Sequence, residues 1–265
     1  MTADEVLKIA QTAVALGITR IKLTGGEPLL RSDIVDIVSR LASIPGISDL
    51  SMTTNGVRLS ALAKPLKDAG LKRVNISLPS LDEKTYSMVS GGNVAEALEG
   101  VDAAVRAGLQ PVKLNMLVLR GINTADIPEM IEFARSSQAI LQLIELEPVN
   151  IKDDYYRKHF FALDSVEKEL KQQASKVETR GDMQNRRVYS LSKVKVEVVH
   201  PIENTSFCAR CTRLRVTSDG KLKPCLMVND NLVDILAAMR TGATDEDLKE
   251  LFVEAVKRRE PFHKP

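Results

Sequence analysis

Three cysteines are the whole thiol complement of this 265-residue chain, and all three fall close together. The stretch reads Phe207-Cys208-Ala209-Arg210-Cys211-Thr212-Arg213-Leu214-Arg215, with Lys223-Pro224-Cys225 following, so the spacing is Cys-x2-Cys-x13-Cys. Asp219-Gly220 lies between the pair and the third thiol. An Asp-Gly dipeptide is a strong signal for a tight turn between short antiparallel strands, so a hairpin is expected to return Cys225 to the pair. Thiolates brought together in this way hold a metal. Two chemistries stay open on the residues alone. Structural zinc takes four ligands and would recruit a histidine such as His200, whereas an iron–sulfur cluster takes thiolates and can leave one iron open to a ligand. Arg213 and Arg215 favour the second: alternating on extended chain they point the same way, and their forked guanidinium groups suit phosphate oxygens.

The elements that must position this stretch follow from the pattern upstream. Thr2-Ala3-Asp4-Glu5 is a capping box, opening a helix over residues 1–16 in which Val6, Ile9, Ala10, Ala13 and Val14 recur at helical spacing and Gly17 is the stop. Strands are expected over 18–24, 49–54, 73–78, 111–119 and 140–147, separated by helices over 32–41, 59–69, 82–89, 94–107 and 127–136. Such alternation builds a parallel sheet, and so many units favour a barrel or part of one. The chain opens on a helix with no strand before it. The expected fold is therefore α/β, a partial TIM barrel whose first βα unit is missing. After Pro148 the pattern changes to a helix over 163–172 and alternating strands over 177–179, 187–191 and 194–199. This reads as an antiparallel extension carrying the cysteine hairpin, followed by helices over 231–240 and 245–259. The expected domains are a partial barrel over 1–150 and an extension over 151–265.

Composition excludes several partners. With 37 basic and 35 acidic residues the net charge is only +2, which leaves no electrostatic footprint for nucleic acid. No apolar run approaches the roughly 18 residues of a membrane helix, no signal peptide is evident, and an odd, clustered set of cysteines fits a reducing cytoplasm.

In a parallel barrel the chemistry sits at the C-terminal ends of the strands. Those ends carry Thr24-Gly25-Gly26-Glu27-Pro28, Thr53-Thr54-Asn55-Gly56, Asn75-Ile76-Ser77, Lys113-Leu114-Asn115, and the run from Gln142 to Glu147. Taken singly, most have a plain explanation as turn residues or as side chains satisfying backbone groups. Lys22 and Lys113 do not, because they lie within runs that otherwise read as buried strand, and a lysine is almost never fully buried unless paired. Pointing both inward at an anionic ligand, shared with Arg213 and Arg215, resolves the conflict.

Leu23-Thr24-Gly25-Gly26-Glu27-Pro28-Leu29-Leu30, with the Thr-Thr-Asn-Gly and Asn-Ile-Ser segments, resembles the radical S-adenosylmethionine enzymes. Together with the three-cysteine hairpin and its Arg-x-Arg, the chain is similar over essentially all its length to the GTP 3′,8-cyclases of molybdenum-cofactor biosynthesis. The resemblance implies a lyase with a 4Fe–4S cluster at each end of its barrel. One binds S-adenosylmethionine and cleaves it to a 5′-deoxyadenosyl radical that takes a hydrogen from GTP; the other, C-terminal, holds the guanine through its open iron. It implies Cys208, Cys211 and Cys225 as ligands of the C-terminal cluster, Gly26 and Ser77 as S-adenosylmethionine contacts, and Lys22, Thr53, Lys113 and Arg213-Leu214-Arg215 as GTP contacts. The product, (8S)-3′,8-cyclo-7,8-dihydroguanosine 5′-triphosphate, would pass to cyclic pyranopterin monophosphate synthase.

The chain also departs from that pattern. The family's Cys-x3-Cys-x2-Cys motif is not in the sequence, Pro79 stands where an Asp is common, Glu147 stands where many relatives place a methionine, and no Gly-Gly tail closes the chain. The expectation is an N-terminally truncated member that does not turn over alone. Its strand over 18–24 would be left as an edge, which promotes aggregation or a homodimer. The competing reading is a non-enzymatic metal-binding module for a nucleotide or a protein.

Overall fold

The computed structural model describes residues 1–149, 151–181, 184–201 and 208–260. In chain order the elements are α1 (Ala3–Ala15), β1 (Arg20–Leu23), α2 (Ile34–Ala42), β2 (Asp49–Thr54), α3 (Leu59–Asp68), β3 (Arg73–Ser77), α4 (Glu83–Ser90), α5 (Val94–Arg106), β4 (Lys113–Val118), α6 (Ile127–Ser136) and β5 (Ile140–Glu145). They continue with α7 (Asp153–His159), α8 (Asp164–Gln173), β6 (Lys176–Arg180), β7 (Arg186–Leu191), β8 (Val194–Val199), β9 (Arg215–Val216), β10 (Lys221–Lys223), β11 (Val233–Asp234), α9 (Ile235–Arg240) and α10 (Asp245–Lys257). Two units form, each discontinuous in sequence: unit 1 gathers residues 1–52, 65–72 and the described residues from 212 onward, and unit 2 gathers 53–64 and 73–211.

In unit 1 the capping box at Thr2 and Glu5 closes in both directions and starts α1, whose apolar stripe buries Leu7, Ile9, Ala10 and Ala13. A second capping box, Thr244 with Asp247, starts α10. Ile9 and Ala13 then share a core with Leu222, Val233, Ile235 and the α10 residues Leu248, Phe252 and Ala255. The Asp219-Gly220 turn forms as expected between antiparallel β9 and β10. Gly220 has φ +79°, and a Cβ there would lie 2.3 Å from the Cβ of Leu236, so both the backbone conformation and the space demand glycine. β11 pairs antiparallel with β10, which shortens the helix expected over 231–240 to α9, capped by Asp234. β1 pairs parallel with β2 from Arg20↔Asp49 to Leu23↔Met52. The buried strand expected over 18–24 is instead four residues that alternate between exposed and half-buried, with Lys22 exposed. Its apolar residues cover only one face, and Arg20 and Lys22 occupy the wet one.

Unit 2 is built on a sheet of order β3-β4-β5-β8-β7-β6. β3, β4, β5 and β8 run parallel, and β8, β7 and β6 form an antiparallel meander. The sheet therefore runs across residue 150, where the sequence suggested a domain boundary: β8 takes the parallel place beside β5. One face carries Val74, Ile76, Leu114, Met116, Val118, Leu141, Leu143, Val196 and Val198, all fully buried. Burial of this kind, at about 25 cal/mol per Å² of apolar surface, is the main force holding the sheet to its helices. α5 approaches the loop after β2 closely enough that a Cβ at Gly100 would lie 2.0 Å from the Gly56 carbonyl oxygen. Between β5 and β6 the chain makes α7 as well as α8; the backbone N–H of Arg120 donates to the His159 carbonyl at 2.8 Å and ties α7 down. Among the described residues no helix is long and apolar enough to cross a membrane.

Candidate functional site

The second face of the unit 2 sheet is polar. Side chains alternate along a strand, so register decides which residues share a face. Asn75 stands beside Lys113, and Ser77 beside Asn115. Asn115 stands beside Gln142, and Gln142 beside Glu197. The meander continues the same face through Val188 to Glu178, with Arg186 beside Arg180 nearer the C-terminal ends of β5 and β8.

Glu197 is the centre of this face. The Lys113 ammonium donates to both of its oxygens at 2.5 and 2.6 Å, Gln142 Nε2 donates at 2.8 Å, and Arg180 Nη1 lies 3.4 Å away. Lys113 and Glu197 side chains are 5% and 2% exposed. Burial pushes the Lys113 pKa down, with Arg180 and Arg186 adding to the shift and Glu197 opposing it. Burial alone would raise Glu197, but Lys113, Arg180 and Arg186 hold its carboxyl below the usual range. The partner that permits a buried lysine is thus Glu197, whereas the sequence pointed to an anionic ligand. Beside this centre, the Oδ1 atoms of Asn75 and Asn115 are buried and accept no hydrogen bond within the described residues. Buried polar atoms are almost always satisfied, so two open acceptors on one face leave room for donors from a ligand.

A second polar cluster closes the end of β8. His200 Nδ1 lies 2.7 Å from Glu145 Oε1 and its Nε2 lies 3.2 Å from Glu167 Oε2. Glu145 also accepts from the Leu163 backbone N–H at 3.0 Å, and Glu167 accepts from the Tyr189 hydroxyl at 2.9 Å. Burial would lower the His200 pKa, but the hydrogen bonds and charges of the two carboxylates outweigh it and raise it to about 10. His200, the histidine a zinc knuckle would recruit, is thus held between two carboxylates.

In the cysteine stretch, the Cys211 N–H donates to the Cys208 carbonyl at 3.1 Å, which forms the tight turn of a Cys-x2-Cys pair. Phe207 lies outside the described residues. All three thiols are free and half-buried, and Cys208 and Cys211 belong to unit 2 while Cys225 belongs to unit 1. Among the described residues no three His, Cys, Asp or Glu side chains gather as a metal-holding group. Arg210, between the paired cysteines, brings its Nη1 within 3.6 Å of where a Cβ on Gly181 would sit.

The remaining expected site residues divide between the units. Thr53, half-buried at the end of β2, belongs to unit 2 with Ser77 and Lys113. Lys22, Gly26, Arg213, Leu214 and Arg215 belong to unit 1. Gly26 is exposed, and the Glu27 carboxylate beside it accepts from the Leu29 N–H at 3.0 Å, opening the turn Pro28–Leu30. The Arg213 carbonyl accepts from Arg259 Nη2 at 3.2 Å, Leu214 packs on the unit 1 core, and Arg215 is in register with Lys223. Sequence reasoning missed Glu197, Arg180 and Arg186. The signal was a glutamate in the strand over 194–199 to answer the lysine in the strand over 111–119.

Residues 1–134 match the Radical SAM superfamily and residues 139–265 match Molybdenum Cofactor Synthesis C. The chain is 49% identical to a probable GTP 3′,8-cyclase of Thermococcus kodakarensis, over 100% of this chain and 87% of that protein. It is 46% identical to a probable GTP 3′,8-cyclase of Methanothermobacter marburgensis, over 99% of this chain and 86% of that one. Among solved structures it superposes on Streptococcus suis SuiB bound to S-adenosylmethionine with TM-score 0.64 at 15% identity, covering 99% of this chain and 60% of SuiB, a likeness of fold. With half its length matched to one family and near-complete overlap with relatives far above 30% identity, the chain is a member of the GTP 3′,8-cyclase family within the radical SAM superfamily.

Proposed function

We propose that this chain serves the radical S-adenosylmethionine conversion of GTP to (8S)-3′,8-cyclo-7,8-dihydroguanosine 5′-triphosphate in molybdenum-cofactor biosynthesis. The observation that carries the reading is the polar face of unit 2, where a buried lysine and two open amide acceptors lie on adjacent parallel strands of a radical SAM fold. Within unit 2, Lys113 and Thr53 contact GTP and Ser77 contacts S-adenosylmethionine. Within unit 1, Gly26 takes an S-adenosylmethionine contact, and Lys22 and Arg213-Leu214-Arg215 take GTP contacts.

The donor chemistry fits the substrate-side 4Fe–4S cluster: Cys208, Cys211 and Cys225 are free, half-buried thiols, two of them on a preformed turn. That cluster supplies an open iron for the guanine. The sequence holds no further cysteines, so these residues do not fit a second, S-adenosylmethionine-cleaving cluster, and no radical-generating step is assigned to them. What the chain's own residues do is hold and orient: the polar face fixes the nucleotide, and the apolar face behind it keeps the strands rigid. The product would pass to cyclic pyranopterin monophosphate synthase, and self-association through the exposed β1 belongs to the same proposal.

Anaerobic reconstitution with iron and sulfide, followed by metal counting and a GTP titration, tests the reading. Close to four irons per chain are expected, lost in Cys208→Ala and Cys211→Ala, with GTP bound by the reconstituted protein. A chain that retains zinc and ignores GTP would be the non-enzymatic module instead.

A further inference from the structure

The C-terminal end of α10 is fastened within unit 1 at two points. Arg258 and Arg259 follow its last residue, Lys257, a place where cationic side chains suit the negative end of the helix dipole and can reach nearby carbonyls. Arg258 Nη1 donates to the Leu232 carbonyl at 3.1 Å, and Asn231 Nδ2 returns a bond to the Arg258 carbonyl at 3.0 Å. Arg259 is half-buried, and its Nη2 donates to the Arg213 carbonyl at 3.2 Å.

Sheet topology makes these two points neighbours. β9 and β11 both pair antiparallel with β10, so they begin at the same end of the three-stranded sheet. Leu232 immediately precedes β11, Arg213 stands two residues before β9, and β10 runs out at that end toward Cys225. Of the Arg213-Leu214-Arg215 segment, Arg215 is held by its register with Lys223 and Leu214 by packing on the core. The backbone at Arg213 lies beyond the β9–β10 ladder, and there the Arg259 side chain supplies a hydrogen bond that the ladder does not. A bond donated by a guanidinium is stronger than a neutral one, which suits it to fixing a half-exposed turn of chain.

We infer that Arg259 is a positioning residue for the nucleotide site: by holding the Arg213 backbone it aims the Arg213 guanidinium, without itself touching the ligand. The inference rests on the reading that Arg213 contacts GTP. A side chain aimed before the ligand arrives spares binding the entropy of ordering it. Because the bond goes to the backbone carbonyl, replacing the Arg213 side chain leaves the tie in place. A residue that acts through Arg213 should therefore matter only while the Arg213 guanidinium is present.

The test is a double-mutant cycle on the anaerobically reconstituted chain, read as GTP affinity with iron content measured alongside. Arg259→Gln is expected to weaken GTP about fivefold, the loss of one charge-assisted hydrogen bond acting at second hand, with iron unchanged. In the Arg213→Gln background the same substitution is expected to change affinity less than about twofold. Lys257→Gln, which removes an exposed charge from the last turn of the same helix, is expected to change it less than about twofold in either background. Arg259→Lys keeps the charge with a shorter reach and should weaken GTP about threefold, again only where Arg213 is intact; it carries the test if Arg259→Gln does not fold. Equal GTP affinity with and without Arg259 would refute the inference and leave the functional reading standing. Equal losses in both backgrounds, or a loss of iron together with GTP, would make Arg259 a direct contact or a general support of this end of the sheet and overturn its positioning role. An unaltered protein that ignores GTP would refute the functional reading and the inference with it.

Discussion

His200 offers the sharpest quantitative test of the fold. Its ring is 24% exposed and is held between Glu145 and Glu167, whose side chains are 5% and 9% exposed. The folded protein binds the His200 proton with a pKa of about 10, against an ordinary value of 6.5. A group whose pKa is raised by folding contributes stability that is complete below its unfolded pKa and is lost as pH rises through the folded one. The window therefore runs from about pH 6.5 to about pH 10. Each pH unit inside it removes about 1.4 kcal/mol, for a ceiling on the order of 5 kcal/mol across the window. His200→Gln removes the cation and leaves two buried carboxylates facing each other, so it should be several kcal/mol less stable than the unaltered protein near neutral pH. Because both proteins share every other titrating group, the difference between their urea-unfolding free energies isolates the histidine. That difference should shrink steadily between about pH 6.5 and about pH 9. A difference that stays flat over this range, or an NMR titration placing the His200 ring near its ordinary value, would refute the clamp.

Two further expectations concern packing. Lys113→Met strands Glu197 in the interior and should cost about 3–5 kcal/mol in denaturant unfolding; adding Glu197→Leu should recover a substantial part, and a double variant no better than the single would show that the pair is not a closed unit. Gly220→Ala should cost about 2–3 kcal/mol because a positive φ and contact with Leu236 act together. Gly242→Ala, with φ +88° and open space around the Cβ, should cost only about 1 kcal/mol, so equal losses in calorimetry would mean that the Leu236 contact relaxes freely.

Local signals were the legible part of the sequence. The capping box at Thr2, the Asp219-Gly220 turn, the helix Ile127–Ser136 and the strands Asp49–Thr54 and Val194–Val199 stand where periodicity and turn chemistry put them. What failed was long-range. The alternation of Val194, Val196 and Val198 marks one buried face, and the rule then places Lys195 and Glu197 in water. Lys195 is indeed exposed, but Glu197 is buried, because β8 inserts beside β5 and its second face meets the polar interior. Nothing within six residues of sequence carries that information. β1 failed for the opposite reason: its alternating apolar residues suggested burial, but so short a strand cannot cover both of its faces. The site residues inferred by resemblance, Lys113 and Ser77, share a sheet face, and the arginines that surround Lys113 could be found only once the meander was paired.

The way unit 1 is threaded has a consequence for how the chain comes off the ribosome. Its core joins Ile9 and Ala13 to Leu248, Phe252 and Ala255, and Lys8 pairs with Asp245 at a sequence separation of 237. The strands of unit 2 are all synthesised before α10 exists, so that sheet can assemble while the apolar stripe of α1 still waits for its partner. Closing such a distant contact is slow relative to local helix formation, and an amphipathic helix kept waiting is a natural client for a chaperone. Unit 1 should therefore be the last part to acquire protection from hydrogen exchange, although α1 is made before every strand of unit 2.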